Sequence, residues 1–384
     1  MTARQEVSLS TDSDSATVST RTDPVEGDLA GLCAFALDVL PTLRHPNGLY
    51  CFDRAIDSPA LRAESVRYSL MVWLGLQSAR SAGLPVLEDL DELFTRCLHH
   101  DDLTAGDLGL LLWCDSRRGL GDADALLGRL GAATSAIGSL DALAGMEIAW
   151  MLLGLAHQHR SRPLPAGAMA TFGRIISHLR TKRATSSALF AHQGSRRHPR
   201  SLLPNFATEI YSVMALTAVA HAGLDDAAQG EATRLADALI GMQRADGGWP
   251  WLFDAARGTV VEPYEVYSVH QDAMAPMAML ALGELTGDDR YEAAARRGLT
   301  WCYGHNEMDV DFYDAGNRFA HRSIRRRAPG DRIALWANSA GSRLIGHTFL
   351  GDTERLELNA TCRPYHLGWI LEAWAGRAGP GSPP

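Results

Sequence analysis

Two stretches of this chain match without a gap through a helix, a turn and a second helix. Met214-Ala215 aligns with Met277-Ala278, Asp225-Asp226 with Asp288-Asp289, and Gln243 with Asn306, each at an offset of 63 residues. Just upstream, Ile210-Tyr211-Ser212-Val213 aligns with Val266-Tyr267-Ser268-Val269 at an offset of 56, so the second unit carries seven extra residues there. An offset held over that length marks a repeated helical hairpin.

The rest of the chain follows the same alternation. Apolar segments with small residues recur at 69–76, 107–113, 147–155, 210–216 and 277–282, each followed by a Gly- or Asp-bearing turn and a more amphipathic, Arg/Glu-bearing segment. Helices apolar all round are buried, and striped ones lie outside. Inner helices are expected near 66–79, 104–116, 144–158, 207–222, 266–285, 331–349 and 364–376. Six or seven such hairpins predict an all-α fold, a single α/α toroid over residues 29–377 whose inner helices wall a central cavity. An open solenoid is the alternative, and no run with strand period stands out.

At 384 residues the chain is long enough for two domains or one large repetitive one, and the repeat favours the second. Its net charge of −9 argues against a nucleic-acid partner. No apolar run approaches the ~20 residues that cross a bilayer. Six scattered cysteines without a CxxC pair read as reduced, packed thiols. The Ser/Thr/Asp-rich stretch Met1–Asp28 has no apolar core, so it is read as a disordered acidic-polar tail and not a signal peptide. Residues 378–384 are expected to fray. The expectation is a soluble cytoplasmic protein, with its oligomeric state open.

One motif carries a family resemblance. Leu239-x3-Gln243-x3-Gly247-x-Trp249 matches the repeat core of squalene and other terpenoid cyclases, found in looser form in protein prenyltransferase β subunits. Arg297-Gly298-x2-Trp301-Cys302-x3-Asn306 is a worn copy, and Leu40-x3-Arg44-x3-Gly48-x-Tyr50 a fainter one. The chain thus resembles the terpenoid-cyclase/prenyltransferase toroid superfamily. That resemblance implies an α/α toroid and an isoprenoid substrate cyclised by an acid, with Asp311 as proton donor and Asp309 beside it. The chain departs from the family's D-x-D-D acid motif, because Phe312 fills the fourth position of Asp309-Val310-Asp311-Phe312. It departs from the prenyltransferase zinc site too, with Val266 where the thiolate should stand, and Cys362 with His366 does not make such a site. The Gln-x-x-Asp-Gly-Gly-Trp string also occurs in α/α-barrel enzymes that act on sugars.

Two clusters could carry chemistry. The first, from Asp246 to Asp272, holds Asp254, Glu262, His270 and Asp272 as candidate acids and bases, with Trp249, Trp251, Tyr264, Tyr267 and Gln271 as substrate contacts. Tyr267, His270, Gln271 and Met274 share one face if the segment is helical. The second holds Asp309, Asp311, Tyr313, Asp314, Asn317, His321 and Arg322, and should neighbour the first on one rim of the toroid. Asp309 and Asp311 suit either proton donation or Mg²⁺, and no other cofactor is indicated. Tyr365 and His366 on the last inner helix, and Glu64, Arg67 and Tyr68 before the first, could close the ring beside them.

Lys182 is the sole lysine against 35 arginines. Two basic stretches, one with Arg180, Lys182, Arg183, Arg196, Arg197 and Arg200, the other with Arg318, Arg322, Arg325, Arg326, Arg327 and Arg332, suit solvated loops or a charged substrate group. Cys97-Leu98-His99-His100-Asp101-Asp102 reads as a helix end. The chain contains no P-loop, GxSxG or HExxH. Three functional readings follow. The first is isoprenoid cyclisation. The second is a carbohydrate-active barrel (a glycan or nucleotide-sugar hydrolase, lyase or epimerase) using Asp254, Glu262 or Asp272. The third is a non-catalytic scaffold. The lining of the cavity discriminates among them.

Overall fold

Helices that bury residues on every side alternate along the chain with helices that bury one stripe. The computed structural model describes residues 28–119, 121–184, 186–192, 203–327, 341 and 356–378. Its helices are α1 (Leu29–Val39), α2 (Val66–Ser81), α3 (Leu90–Leu98), α4 (Ala105–Arg118), α5 (Ala123–Ala136), α6 (Gly145–Ser161), α7 (Ala166–Thr181), α8 (Phe206–His221), α9 (Ala228–Ile240), α10 (Ala275–Thr286), α11 (Arg290–Cys302) and α12 (Pro364–Ala378). Helix α8 buries 13 of its 16 residues, so it has no face to give to water. Helix α9 buries Ala228, Glu231, Ala232, Leu235, Ala236 and Leu239, a single stripe at helical spacing, and lays it on α8.

Among the described residues the inner helices α2, α4, α6, α8, α10 and α12 pack in that order, and α12 returns to α2. Helices α3, α5, α7, α9 and α11 each pack outside the inner helix before them, and α1 packs outside α12. The result is a single α/α toroid. Close approach of the inner helices explains their small residues. Gly75 of α2 faces Gly368 of α12, and Gly109 of α4 faces Gly154 of α6, so tightly that a Cβ on any of the four would overlap backbone across the junction.

The expected inner helix at 266–285 starts late. Residues 266–267 are a strand, His270–Met274 form a π-helical turn, and α10 follows. The expectation at 331–349 falls outside the described residues except for Gly341, as do residues 1–27 and 379–384.

Strands, which the sequence did not foreshadow, stitch the loops at one end of the ring. Each of the ten spans two to five residues, too short for an alternating pattern to register. They are β1 (Cys51–Ala55), β2 (Leu61–Glu64), β3 (Leu252–Asp254), β4 (Thr259–Glu262), β5 (Val266–Tyr267), β6 (Tyr313–Asp314), β7 (Phe319–Ala320), β8 (Ser323–Arg326), β9 (Leu356–Asn359) and β10 (Thr361–Cys362). Strand β5 pairs with β8 through Val266–Ile324 and Tyr267–Ser323, which sets the 246–272 and 309–322 loops side by side. Strand β1 pairs with both β2 and β10 and so ties the first hairpin to the last. All six cysteines are buried and unbridged, and no described helix is long and apolar enough to cross a membrane.

Candidate active site

The inner helices bring their N-terminal turns to the stitched end of the ring, around a cavity of about 250 Å³. Helix α2 contributes Arg67, Tyr68 and Met71; α6 contributes Met146 and Trp150; α8 contributes Ala207 and Tyr211. His270 and Met274 come from the π-helical turn, and Tyr365 from α12. The loops add Trp251, Tyr267, Arg322 and Arg363. These first turns are fixed by their caps: Ser65 Oγ accepts the Tyr68 N–H at 3.2 Å, and Asn205, itself in the wall, accepts the Thr208 N–H at 2.9 Å. The Asp107 carboxylate of α4 accepts Arg67 Nε at 2.7 Å and locks α2 to its neighbour.

His270 is buried in this wall, at 3% exposure. Its ring lies between Phe206 at 5.0 Å and Tyr267 at 5.1 Å, with Trp251 nearly parallel at 5.8 Å. No side chain or backbone group among the described residues hydrogen-bonds to the imidazole, and Nδ1 is buried without a partner. Burial, then the Arg322 charge and then His366 hold its pKa down to about 3, so the ring is neutral and its basicity is held down until a ligand's charge offsets that of Arg322.

Arginines supply the charge of the cavity. Arg322 lies over the Tyr267 ring at 5.0 Å, and Arg67 over Trp150 at 4.9 Å. Arg363 donates Nη1 to the Tyr68 hydroxyl at 2.8 Å, and the Tyr68 ring lies 4.5 Å from that of Tyr365. None of the described residues in the lining is an acid.

Behind the wall sits a second polar group. Asp272 Oδ2 accepts the Tyr313 hydroxyl at 2.8 Å, lies 2.7 Å from His366 Nε2 and takes a weak Cys302 Sγ contact at 3.6 Å. The Asp272 backbone carbonyl accepts Trp374 Nε1 at 2.6 Å. Asp272 and His366 are both buried and lie outside the cavity lining. Both residues, expected at the cavity from their type, instead stand behind it as support.

Several other candidates are placed elsewhere. Asp309 and Asp311 are exposed and do not line the cavity; Asp311 Oδ1 accepts the Tyr313 N–H at 2.8 Å. Asp254 caps its own turn by accepting the Ala256 N–H at 2.9 Å. Glu262 accepts Arg326 Nη2 at 3.1 Å and the Tyr264 N–H at 3.0 Å. Tyr264 donates to Glu307 at 2.9 Å, and His321 packs on Phe319 at 5.3 Å. Gln271 turns away from the face expected for it: Oε1 accepts the Trp249 N–H at 2.7 Å, and Nε2 donates to the Tyr267 carbonyl at 2.9 Å. The residues that do reach the cavity are His270, Trp251, Tyr267, Arg322, Tyr365, Arg67 and Tyr68. Among the described residues no group of three His, Cys, Asp or Glu side chains is arranged to hold a metal ion.

The Gln243–Trp249 segment is a joint. Gln243 Nε2 donates to the Gly247 carbonyl at 2.8 Å and to the Ala294 carbonyl of α11 at 3.0 Å, while Arg297 Nη2 donates back to Gln243 Oε1 at 2.7 Å. Trp249 is wholly buried against Phe206 at 5.2 Å. Of the basic stretches, Arg180 pairs with Asp225 and Glu231, Arg183 with Glu231, and Lys182 with Asp141. Arg196, Arg197, Arg200 and Arg332 lie outside the described residues.

No protein-family model matches the chain, and no curated protein matches it. Solved structures do. A cellobiose 2-epimerase from Bacillus thermoamylovorans aligns over 92% of this chain and 100% of its own, with 11% identity and a TM-score of 0.61. An unsaturated glucuronyl hydrolase specific for heparin covers 91% and 96%, with 15% identity and a TM-score of 0.60. A D-mannose isomerase covers 91% and 97%, with 12% identity and a TM-score of 0.53. The likeness is one of fold.

Sequence reasoning missed Asn205, Trp150, Tyr211 and Arg363 as wall residues. Their common signal is position, within the first two turns of inner helices or just before them. A second cavity of about 250 Å³ opens where the inner helices end, but there Arg117 is paired with Glu372 and Arg377 with Glu284. Trp369, stacked on Trp113 at 5.9 Å and donating to the Tyr211 hydroxyl at 2.8 Å, stands between the two.

Proposed function

We propose that this protein is a carbohydrate-active enzyme that moves a proton on the carbon beside the carbonyl of a small sugar, as an aldose–ketose isomerase or epimerase. The observation that carries this reading is His270, a neutral imidazole with no hydrogen bond from the described residues, in a wall of aromatic rings and guanidinium groups. Glycoside hydrolysis needs two carboxyl groups about 5–10 Å apart across the substrate, and the described lining offers none. Acid-initiated cyclisation needs a buried acid at the substrate, and Asp311 is exposed and outside the cavity. Structural likeness to a cellobiose 2-epimerase and a D-mannose isomerase supports the same reading. A volume just below the roughly 300–1,000 Å³ of drug-sized sites suits one or two sugar rings.

The residues divide the work. Trp251 and Tyr267 offer apolar faces for the sugar ring. His270 takes the C2 proton; the C–H electron pair becomes the C1–C2 double bond, and the carbonyl pair moves onto O1. Guanidinium donors of Arg67 and Arg363 stabilise the enediolate charge. Return of the proton to C1, with the hydroxyl proton passing from O2 to O1, gives the ketose. Return to the opposite face of C2 gives the epimer.

The test is incubation with mannose, glucose, fructose and cellobiose in deuterated water, read by NMR at the carbon beside the carbonyl. Deuterium incorporation that is lost in His270→Gln supports the reading. Cleavage of an unsaturated glucuronyl disaccharide without any deuterium incorporation into the sugars overturns it.

A further inference from the structure

Five arginines of the second basic stretch, from Arg318 to Arg327, are among the described residues, and all but one of them have a carboxylate partner there. Arg318 pairs with Asp38 at 2.7 Å, Arg325 with Glu357 at 2.7 Å, Arg326 with Glu262 at 3.1 Å and Arg327 with Glu357 at 3.5 Å. Arg322 has no ion pair among the described residues, and it is the one that lines the cavity. The other cavity arginines are compensated: Arg67 by Asp107 at 2.7 Å and Glu147 at 3.7 Å, Arg363 by Asp53 at 3.9 Å.

We propose that the substrate carries an oxyanion group, a carboxylate or a phosphate, and that Arg322 is the residue that recognises it. This rests on the sugar-isomerase reading above for what the rest of the ligand is. A half-buried guanidinium without a counter-ion is a standing cost that a ligand's negative charge removes. The Nε of Arg322 is buried without a hydrogen-bond partner among the described residues, so that donor is left for a ligand. Its face rests on Tyr267, which leaves the edge of the fork for a planar or tetrahedral oxyanion.

Glu265 stabilises this charge through space but makes no ion pair with the guanidinium. Glu265 is committed elsewhere: Oε2 accepts the Tyr267 hydroxyl at 2.9 Å, and Oε1 accepts Asn359 Nδ2 at 2.9 Å together with the Ser323 hydroxyl. The N-terminal turns of α2, α6 and α8 surround the same space and add positive potential. His270 and Arg322 both pack on the Tyr267 ring, which sets the base and the anion site side by side. An oxyanion on Arg322 would also offset a charge that holds His270 in its neutral, weakly basic form.

The experiment is titration calorimetry on the full chain with two matched pairs, glucuronate against glucose and mannose 6-phosphate against mannose. The wild type should bind the anionic member of at least one pair about tenfold tighter or more, the scale of a charge-assisted hydrogen bond. Preference in the first pair alone identifies a uronate, in the second alone a sugar phosphate, and in both a site for either. Arg322→Gln should abolish the preference by weakening the anionic member of the pair at least tenfold more than the neutral one, and Arg322→Lys should restore part of it. Equal binding within both pairs by the wild type overturns the proposal without any variant, as does a preference that survives in folded Arg322→Gln. Failure to bind either anionic sugar overturns it too. An Arg322-dependent preference without proton exchange on any sugar would sink the isomerase reading and leave this one standing. Exchange on neutral sugars with no anion preference would do the reverse.

Discussion

Trp251 lies over His270 with ring centres 5.8 Å apart and planes within 14° of parallel. The indole closes one side of the imidazole, and Phe206 and Tyr267 close others, so the ring has been taken out of water without a hydrogen-bond partner among the described residues. A structural histidine would be expected to have one. Replacing it with glutamine keeps a polar group of similar reach but removes the proton acceptor. His270→Gln should lower kcat for proton exchange by about 10²–10⁴-fold with KM little changed, measured by deuterium incorporation.

Trp251→Ala removes the platform and not the base. Its effect should fall mainly on KM, which should rise by about tenfold for neutral sugars, with a smaller change in kcat. A kcat loss as large as that of His270→Gln would show that Trp251 orients the base and not the sugar.

The ring was legible because its cause is local. Thirteen buried residues in α8 and one stripe in α9 follow directly from composition and spacing, and the 63-residue offset carried the pattern into the next hairpin. The acids were misplaced for a different reason. Asp254, Glu262 and Asp272 are the residue types that catalysis uses, but each is consumed by a turn, an arginine or a histidine that distant sequence supplies. Glu262 is separated by 64 residues from its partner Arg326, and Asp272 by 94 from His366. Which arginine lacked a partner was equally hidden, since Arg322 and Arg326 look alike until the strands pair. The terpenoid resemblance led toward Asp311 because the Gln243–Trp249 joint serves a helical corner and says nothing about what the ring encloses.

Two buried groups should give the stability a two-sided pH dependence. His270 has a folded pKa of about 3 against 6.5 unfolded, so between those values the unfolded chain binds the extra proton. Stability therefore falls as pH drops below about 6.5, by at most about 1.4 kcal/mol per pH unit from this group. Glu209 is wholly buried, accepts only the Phe190 N–H among the described residues, and burial raises its pKa well above 4.5. Here the folded chain holds the extra proton, so stability falls as pH rises above 4.5. In thermal melts across pH, His270→Gln should flatten the acid side and Glu209→Gln the alkaline side. Melts that keep both slopes in the two variants would refute the assignment.

Gly75→Ala tests the closure of the ring. A Cβ there overlaps the Gly368 carbonyl of α12, and neither helix can withdraw without opening the junction. Overpacking of this kind costs about 1–3 kcal/mol or more, against the few tenths of a kilocalorie gained in helix propensity. Its melting temperature should fall by several degrees, whereas Gly83→Ala, with open space around it but a left-handed backbone, should lose less. Equal losses would mean that the junction is softer than its geometry implies.

Asp272→Asn separates support from chemistry. Three donors converge on Oδ2, from His366, Tyr313 and Cys302, and Oδ1 is buried with no partner. An asparagine that presents its oxygen to the three donors must bury its NH₂ where no acceptor stands, and one turned the other way sets NH₂ against them. Either arrangement should cost about 1–3 kcal/mol. If Asp272 positions His366 and does not touch the sugar, KM should hold while kcat falls, and the His366 ring signals should broaden or shift in NMR spectra. His366→Gln should lower kcat to a similar degree, and adding Asp272→Asn to it should cost little more, because both changes break one linked unit. A raised KM with the His366 signals unmoved would return Asp272 to the substrate, where its residue type alone first placed it.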